Sequence, residues 1–195
     1  MMIQSIFRYG HIELYIFSIC NKYLIEKSNL DLLQQEEYVV FNRTTNDVNK
    51  KNFLVRHCVL RNLLSSLLFC LPKDIVFHYT MYGKPYIKSC TNYSSLYFNM
   101  SYSRSWCVIA VSKFQEIGVD IEYIDPQINL DFSPEWKIFC KNPKVFYYQW
   151  TRQEAYLKKI GLGLNSRKAF TQEIQNNKNI YTFLYKNLFI SFAVN

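Results

Sequence analysis

The strongest constraint on the fold is a long amphipathic pattern in the first half of the chain. In the segment Phe53–Leu71, apolar residues recur at three- and four-residue steps, the spacing of one helical face, and Pro72 ends the run. Arg56, His57 and Arg61 interrupt the apolar residues, so a lone membrane span would be too costly. The pattern therefore predicts a long helix that packs one face against a core.

A second long helix is predicted in the second half of the chain. Asn142 is a good helix cap, and Pro143 directly after it suits the first helical turn. The helical pattern runs to about Ile160, where Gly161 stops it. The chain must therefore accommodate two long helices.

Short apolar or alternating runs predict strands around these helices. Two strands are expected in residues 3–20, and a shorter helix is expected after them, with Ser28 as its cap. The later strand-like segments are IVFHYTMY, LYFNMSYS, WCVIAVSK, GVDIEYI and the two halves of NIYTFLYKNLFISFAV. A change in pattern near 113–116 divides the chain into 1–115 and 116–195, and each half has a helix followed by strands.

Composition narrows the class of protein. Among the 195 residues, 49% are hydrophobic and 19% are charged, which excludes a disordered chain. The net charge of +8 favours anionic partners. Six cysteines without metal-binding spacing predict free thiols in a reducing cytoplasm. The first apolar run contains Glu13 and is followed by no small-residue cleavage site, so no secretory signal is expected.

Two carboxylates in the predicted strand GVDIEYI are candidates for metal binding. Asp120 and Glu122 are two residues apart, so both side chains leave the same face of the strand. Paired carboxylates repel unless water or a cation compensates, and oxygen ligands of this kind suit Mg²⁺. The alternative is a strand with a solvated acidic face.

The second long helix carries a further set of candidate residues. Trp150, Glu154 and Lys158 are four residues apart and therefore stack along one side of the helix. The alternative is an ordinary surface ion pair beside a core tryptophan. Lys84, in a Gly-Lys-Pro turn, and Ser101 are two more residues that could contact a phosphate, or else serve only the turn and the strand end.

Four segments together carry a resemblance to a known family. They are YGKPYI, FNMSYSRSWCVIAVS, GVDIEYI and WTRQEAYLKKIGLGL, in this order and spacing. The chain resembles the longer, Sfp-type members of the 4′-phosphopantetheinyl transferase superfamily. The resemblance implies a pseudo-twofold pair of similar α+β halves, each with an antiparallel sheet packed against a long helix. The N-terminal half would contact coenzyme A, and the C-terminal half would supply the Mg²⁺ ligands and the catalytic helix.

The resemblance also implies an activity and the residues that perform it. These enzymes, of the holo-acyl-carrier-protein synthase type, move phosphopantetheine from coenzyme A to a serine of an acyl, peptidyl or aryl carrier protein. Asp120, Glu122 and Glu154 match the Mg²⁺ ligands of the family. Glu154 also matches the base for the carrier serine, and Lys158 matches the lysine at the phosphate.

Further positions match coenzyme A contacts of the family. Lys84, Ser101 and Lys158 match directly. Tyr102 stands where the family usually has histidine, and Lys51 lies beside a position that is usually arginine. Each departure removes a potential positive charge near the coenzyme.

Other functions remain open at this point. One alternative is a degenerate member that binds coenzyme A or a carrier protein without catalysis. A less favoured alternative is a basic nucleic-acid-binding protein, but the basic residues are spread along the chain and no nucleic-acid motif is present. The sequence therefore predicts an acidic carrier protein and coenzyme A as partners of a cytoplasmic monomer, with neither nucleic acid nor membrane.

Overall fold

Both long helices that the sequence predicts are present in the structure, a computed structural model that describes residues 3–88, 96–129, 142–162, 174 and 176–195. The helices are α1 (Lys22–Glu26), α2 (Gln35–Arg43), α3 (Asp47–Leu68) and α4 (Pro143–Ile160). The strands are β1 (Gln4–Tyr9), β2 (Ile12–Ser18), β3 (Phe77–Tyr79), β4 (Pro85–Ile87), β5 (Tyr97–Ser103), β6 (Trp106–Ser112), β7 (Gly118–Tyr123), β8 (Ile180–Tyr185) and β9 (Leu188–Ala193). All the predicted strand segments therefore contain a strand.

The strands form antiparallel sheets, which confirms the α+β class. One sheet has the order β1-β2-β6-β5, and another has the order β7-β9-β8. Strands β3 and β4 form a separate two-stranded hairpin. The pseudo-twofold relation and the division into 1–115 and 116–195 stay predictions.

The prediction that Ser28 caps the start of a helix is wrong. The Ser28 hydroxyl donates to the Leu24 carbonyl oxygen and so closes the preceding helix α1. After a single 3₁₀ turn, α2 begins at Gln35, where Gln34 and Glu37 form a reciprocal capping box. The local hydrogen bonds of these side chains therefore decide where the helix begins.

Helix α3 begins earlier than its apolar pattern indicates. The Asn46 side chain accepts a hydrogen bond from the Asn49 N–H at 2.9 Å, which caps a polar first turn. The helix ends at Phe69, whose backbone is left-handed with φ of 54°. Polar residues that the hydrophobic pattern does not include thus extend the helix toward its N-terminus.

Two of the hydrophobic clusters in the described part of the chain position the sheets. In the first, α3 residues such as Leu60 and Leu64 pack against Ile109 of β6. The second core lies between the two larger sheets and includes Leu14 of β2 and Ile121 of β7. Burial of both sheets against each other brings β5 beside β7, where the candidate site lies.

Gly118 brings strand β7 and helix α4 into close contact. A Cβ atom at this position would lie 2.1 Å from the Ala155 carbonyl oxygen and 2.3 Å from the Lys159 amide nitrogen. Both atoms belong to the backbone, so they cannot move aside as a flexible side chain could. The absence of a side chain at Gly118 therefore allows α4 to pack directly on β7.

Free thiols and the lack of a membrane-spanning helix are two predictions that concern the described residues here. The cysteines at positions 20, 58 and 107 are free thiols, whereas the predicted free thiols Cys90 and Cys140 lie outside the described residues. Among the helices of the described part, none is both long and apolar enough to cross a membrane.

A buried ion network anchors α2 to α3. The Glu37 carboxylate accepts a hydrogen bond from Arg61 Nε at 2.8 Å and lies 2.6 Å from His57 Nδ1. Arg61 also donates to the carbonyl oxygens of Pro72 and Ile75. Burial raises the pKa of Glu37, but the hydrogen bonds from His57 and Arg61 outweigh it and hold the pKa below its usual value.

Stability should therefore fall when the solution is acidified. Because the folded-state pKa of Glu37 is depressed, its contribution is fully present above the unfolded-state pKa and is lost as the pH falls through the folded-state pKa. We expect Glu37→Gln to lower the unfolding free energy at pH 7 and to flatten its decline at acidic pH. Urea unfolding at a series of pH values measures both effects. Glu36→Gln, an exposed neighbour on α2, is the control, and an equal acid slope in Glu37→Gln and the wild type would contradict the assignment.

Candidate active site

The site is built where strands β5 and β7 run side by side. Alternate side chains of β5 point toward β7, as the two-residue period of a strand requires. Ser101 Oγ donates to Asp120 Oδ1 at 2.8 Å, and Ser103 Oγ donates to Glu122 Oε2 at 2.9 Å. The two carboxylates that the sequence placed on one strand face are therefore held by two hydroxyls from the neighbouring strand.

Helix α4 adds a cation to this pair of strands. Lys158 Nζ donates to Asp120 Oδ1 at 2.6 Å and to Ser101 Oγ at 2.8 Å. The structure thus joins Ser101, Asp120 and Lys158 in one cluster, although they come from β5, β7 and α4. This arrangement excludes the alternative in which Lys158 only forms a surface ion pair with Glu154.

One oxygen of this cluster has no hydrogen-bond partner among the described residues. Asp120 is only 3% exposed, and its Oδ2 atom is buried without a hydrogen bond in the described part of the chain. A buried carboxylate oxygen without a donor is costly, because the water it lost is not replaced. Asp120 Oδ2 is therefore a candidate ligand for a cation.

The two neighbouring carboxyls have perturbed pKa values. Burial raises the pKa of Glu122 to about 7, and the negative charge of Asp120 adds to this shift. Burial likewise raises the pKa of Glu154 to about 7, again with a contribution from Asp120. Glu154 on α4 thus lies within the electrostatic reach of the carboxylates on β7, and added positive charge would favour the ionised form of all three.

Trp150 has a role that the sequence did not reveal. It packs against Phe146 with ring centroids 5.8 Å apart, as a core residue would. It also donates a side-chain hydrogen bond to Glu122, which favours the charged form of that carboxyl. The four-residue spacing of α4 therefore places a positioning residue, Trp150, one turn before Glu154.

The donor set has the chemistry of a cation site. Among the described residues, no group of three or more histidine, cysteine, aspartate or glutamate side chains is arranged to hold a metal ion. The individual groups nevertheless offer what a hard cation prefers, since carboxylate oxygens are Mg²⁺ ligands and Asp120 Oδ2 is free to accept. The residues present therefore fit a divalent cation.

A groove of about 310 Å³ opens beside the cluster. The turn between β3 and β4, strand β5 and helix α4 form its walls. Its lining residues are Tyr82, Gly83, Lys84, Pro85, Asn99, Met100, Glu154, Leu157, Lys158, Gly161 and Leu162. The groove thus brings three of the predicted site residues, Lys84, Glu154 and Lys158, to one surface.

Lys84 already has partners in this groove. Its Nζ donates to Glu116 Oε2 at 2.5 Å and to the Lys159 carbonyl oxygen at 2.8 Å. The carbonyl lies in the last turn of α4, where a cation is favourable. Lys84 therefore clamps the turn between β3 and β4 to the end of α4, and its predicted contact with coenzyme A stays a prediction.

Other predicted residues lie apart from the cluster. Lys51 is an exposed residue of α3 and makes no hydrogen bond or ion pair with the cluster in the described part of the chain. Tyr102 follows Ser101 on β5 but packs on Arg56 of α3. Gly163, in the quoted segment WTRQEAYLKKIGLGL, lies outside the described residues.

The sequence contained a signal that would have found Ser103. Asn99, Ser101 and Ser103 alternate along β5, and all three side chains bond to β7, with Asn99 Oδ1 accepting from the Val119 N–H at 2.9 Å. A polar alternation in a strand that is otherwise apolar indicates a structured neighbour on that face.

Comparisons with known proteins indicate the family of the chain. Residues 26–114 match the family model described as 4′-phosphopantetheinyl transferase, N-terminal. The 4′-phosphopantetheinyl transferase HetI of Nostoc is 31% identical over 144 residues, which cover 68% of this chain and 61% of HetI. The chain belongs to the 4′-phosphopantetheinyl transferase superfamily. The resemblance carried by the four sequence segments is confirmed.

Further relatives place the chain in the same superfamily. The 4′-phosphopantetheinyl transferase gsp of Aneurinibacillus migulanus is 30% identical over 142 residues, which cover 68% of this chain and 57% of gsp. The transferase Sfp of Bacillus subtilis is 28% identical over 123 residues, which cover 57% of this chain and 53% of Sfp. The chain therefore spans little more than half the length of these relatives.

Proposed function

We propose that the chain transfers the 4′-phosphopantetheine group of coenzyme A to a serine of an acyl or peptidyl carrier protein. The observation that carries the proposal is the cluster of Ser101, Asp120 and Lys158 beside the groove, in a member of this superfamily. In the reaction, the serine oxygen bonds to the phosphorus of phosphopantetheine. The bond from this phosphorus to the oxygen of the leaving 3′,5′-ADP breaks, and the serine proton passes to a base.

Asp120, Glu122 and Glu154 would hold Mg²⁺ for this reaction. The support is Asp120 Oδ2, which has no hydrogen-bond partner in the described part of the chain, and the two carboxyls whose pKa values respond to the charge of Asp120. Bound there, the cation would neutralise the pyrophosphate and stabilise the leaving phosphate. Ser103 and Trp150 would orient the Glu122 carboxylate through their hydrogen bonds.

Helix α4 would supply the two catalytic side chains. Glu154 and Lys158 both line the groove, one helical turn apart. Glu154 would accept the proton of the carrier serine, as a carboxylate within hydrogen-bond reach can do. Lys158, whose ammonium already bridges Ser101 and Asp120, would donate to a phosphate oxygen of coenzyme A.

The remaining proposed contacts concern coenzyme A. Ser101, Tyr102 and Lys84 would face its phosphates, and exposed Lys51 at the start of α3 would attract its 3′-phosphate end. The net charge of +8 suits both coenzyme A and an acidic carrier protein, because opposite charges speed their encounter. We propose a monomer that acts in the cytoplasm.

The experiment is a transfer assay with a panel of apo-carrier proteins. The chain is incubated with coenzyme A and Mg²⁺, and the mass of each carrier is measured. We expect at least one carrier to gain the phosphopantetheine mass, and its Ser→Ala variant at the acceptor site to gain none. Coenzyme A binding without a mass gain on any carrier would favour the non-catalytic module instead.

A further inference from the structure

Arg56 is a buried cation without a polar partner among the described residues. The residue lies on α3, is 8% exposed, and its Nε atom is fully buried with no hydrogen bond. No ion pair or hydrogen bond to Arg56 occurs within the described ranges of the chain. An arginine stays charged even when burial lowers its pKa, as it does here. An uncompensated buried charge is unfavourable, so an anion that reached it would be strongly attracted.

The other buried arginines show how unusual this is. Arg61 donates to the Glu37 carboxylate and to two carbonyl oxygens. Arg152 donates to the carbonyl oxygens of Ile180 and Asn177. Both therefore have oxygen acceptors supplied by the protein, whereas the described part of the chain supplies none to Arg56.

Arg56 contacts an aromatic ring that reaches the surface. Its guanidinium carbon lies 3.7 Å from the ring centroid of Tyr102, which is 54% exposed. This cation–π contact holds the guanidinium group against the ring. A phenol O–H and a guanidinium are thus held together at the exposed end of β5, and both can donate to the same anion.

This pair lies close to the groove. Met100, which lines the groove, and Tyr102 are two residues apart on β5 and share a face, so they are separated by about 7 Å along the strand. Ser101 between them bonds to Lys158 on the opposite face. Cations therefore flank β5 on both faces.

We propose that Arg56 and Tyr102 form a phosphoryl-binding subsite that extends the groove along β5. The proposal rests on the proposed function, because it assigns to this pair one phosphoryl group of the nucleotide part of coenzyme A. Arg56 supplies the charge, and Tyr102 supplies a hydrogen bond. Lys158 and the carboxylates of β7 act on the other side of the strand.

The test measures ligand affinity by isothermal titration calorimetry. Arg56→Met keeps an apolar side chain under the tyrosine ring and removes the charge, so we expect coenzyme A to bind about tenfold to a hundredfold more weakly. Arg104→Met is the matched control. Arg104 also stacks on a tyrosine, at 3.6 Å from the Tyr123 ring, but it is paired with Asp125. We expect the control to bind as the wild type does, and equal affinities in Arg56→Met and the wild type would overturn the proposal.

Dephospho-coenzyme A identifies the phosphoryl group. If Arg56→Met loses affinity for coenzyme A alone, the subsite holds the 3′-phosphate. If it loses affinity for both ligands by the same factor, the subsite holds the pyrophosphate. Either result supports a phosphoryl subsite, whereas no loss for either ligand contradicts it.

Two further measurements keep the test independent of folding and of catalysis. Tyr102→Phe keeps the aromatic ring over Arg56 and should weaken binding severalfold without changing the melting temperature. Unchanged binding would remove Tyr102 from the subsite.

If the wild type binds no coenzyme A, the proposed function fails, and inorganic pyrophosphate becomes the probe. A rise in melting temperature with pyrophosphate that is lost in Arg56→Met then supports the subsite, and no rise in the wild type overturns it.

Discussion

Replacing Asp120 by asparagine should lower the rate of the proposed phosphopantetheine transfer by about a thousandfold, because a cation held by Asp120 would supply charge stabilisation worth several kcal/mol. Asp120 accepts hydrogen bonds from both Ser101 and Lys158 and carries the buried oxygen without a partner. Asparagine has nearly the same shape and can still accept from Ser101. The substitution therefore removes the charge while the fold is retained.

The measurement is the initial rate of mass gain on the carrier protein that the wild type modifies. Circular dichroism and thermal melting establish that Asp120→Asn is folded. Asp125→Asn is the matched control, since Asp125 is an exposed partner of Arg104 and surface pairs contribute little. We expect the control rate to stay within about twofold of the wild type. An Asp120→Asn rate above a tenth of the wild-type rate would contradict the role of Asp120.

Gly118→Ala should destabilise the fold by about 3 kcal/mol, because a methyl group would overlap backbone atoms of α4. The new Cβ would lie 2.1 Å from the Ala155 carbonyl oxygen, so β7 and α4 must separate. Since Asp120 lies on β7 and Glu154 on α4, separation would also move the two carboxylates apart. We expect transfer to fall together with stability.

Urea denaturation measures this effect, with Gly10→Asn as its control. Gly10 has a left-handed φ of 57°, and a Cβ atom added to it would meet no other atom within 4 Å. Asparagine tolerates this backbone conformation, so we expect a change below about 1 kcal/mol. If Gly118→Ala unfolded at the wild-type urea concentration, the close contact of β7 with α4 would be disproved.

Local signals explain which elements could be predicted. Helix α4 begins and ends where Asn142, Pro143 and Gly161 indicate, because caps act through hydrogen bonds within a few residues. The predicted start of α2 is wrong, since Ser28 bonds backward to Leu24 rather than forward. The spacing of apolar residues does not indicate which of these two local hydrogen bonds Ser28 forms.

The candidate site was predictable as a set of residues but not as a set of contacts. The alternation in GVDIEYI placed Asp120 and Glu122 on one face, and the family resemblance supplied their partners. The bond of Lys84 to Glu116 and the stack of Arg56 on Tyr102 depend on how distant elements pack. No periodicity within either segment carries that information.

The most direct measurement is the binding of Mn²⁺, a paramagnetic substitute for Mg²⁺, followed by electron paramagnetic resonance in the presence of coenzyme A. If Asp120, Glu122 and Glu154 hold the cation, the wild type should bind Mn²⁺, Mg²⁺ should displace it, and Asp120→Asn and Glu154→Gln should each weaken binding at least about tenfold. Asp125→Asn should bind as the wild type does. Equal Mn²⁺ binding by the wild type and both site variants would contradict a cation site built from these carboxylates.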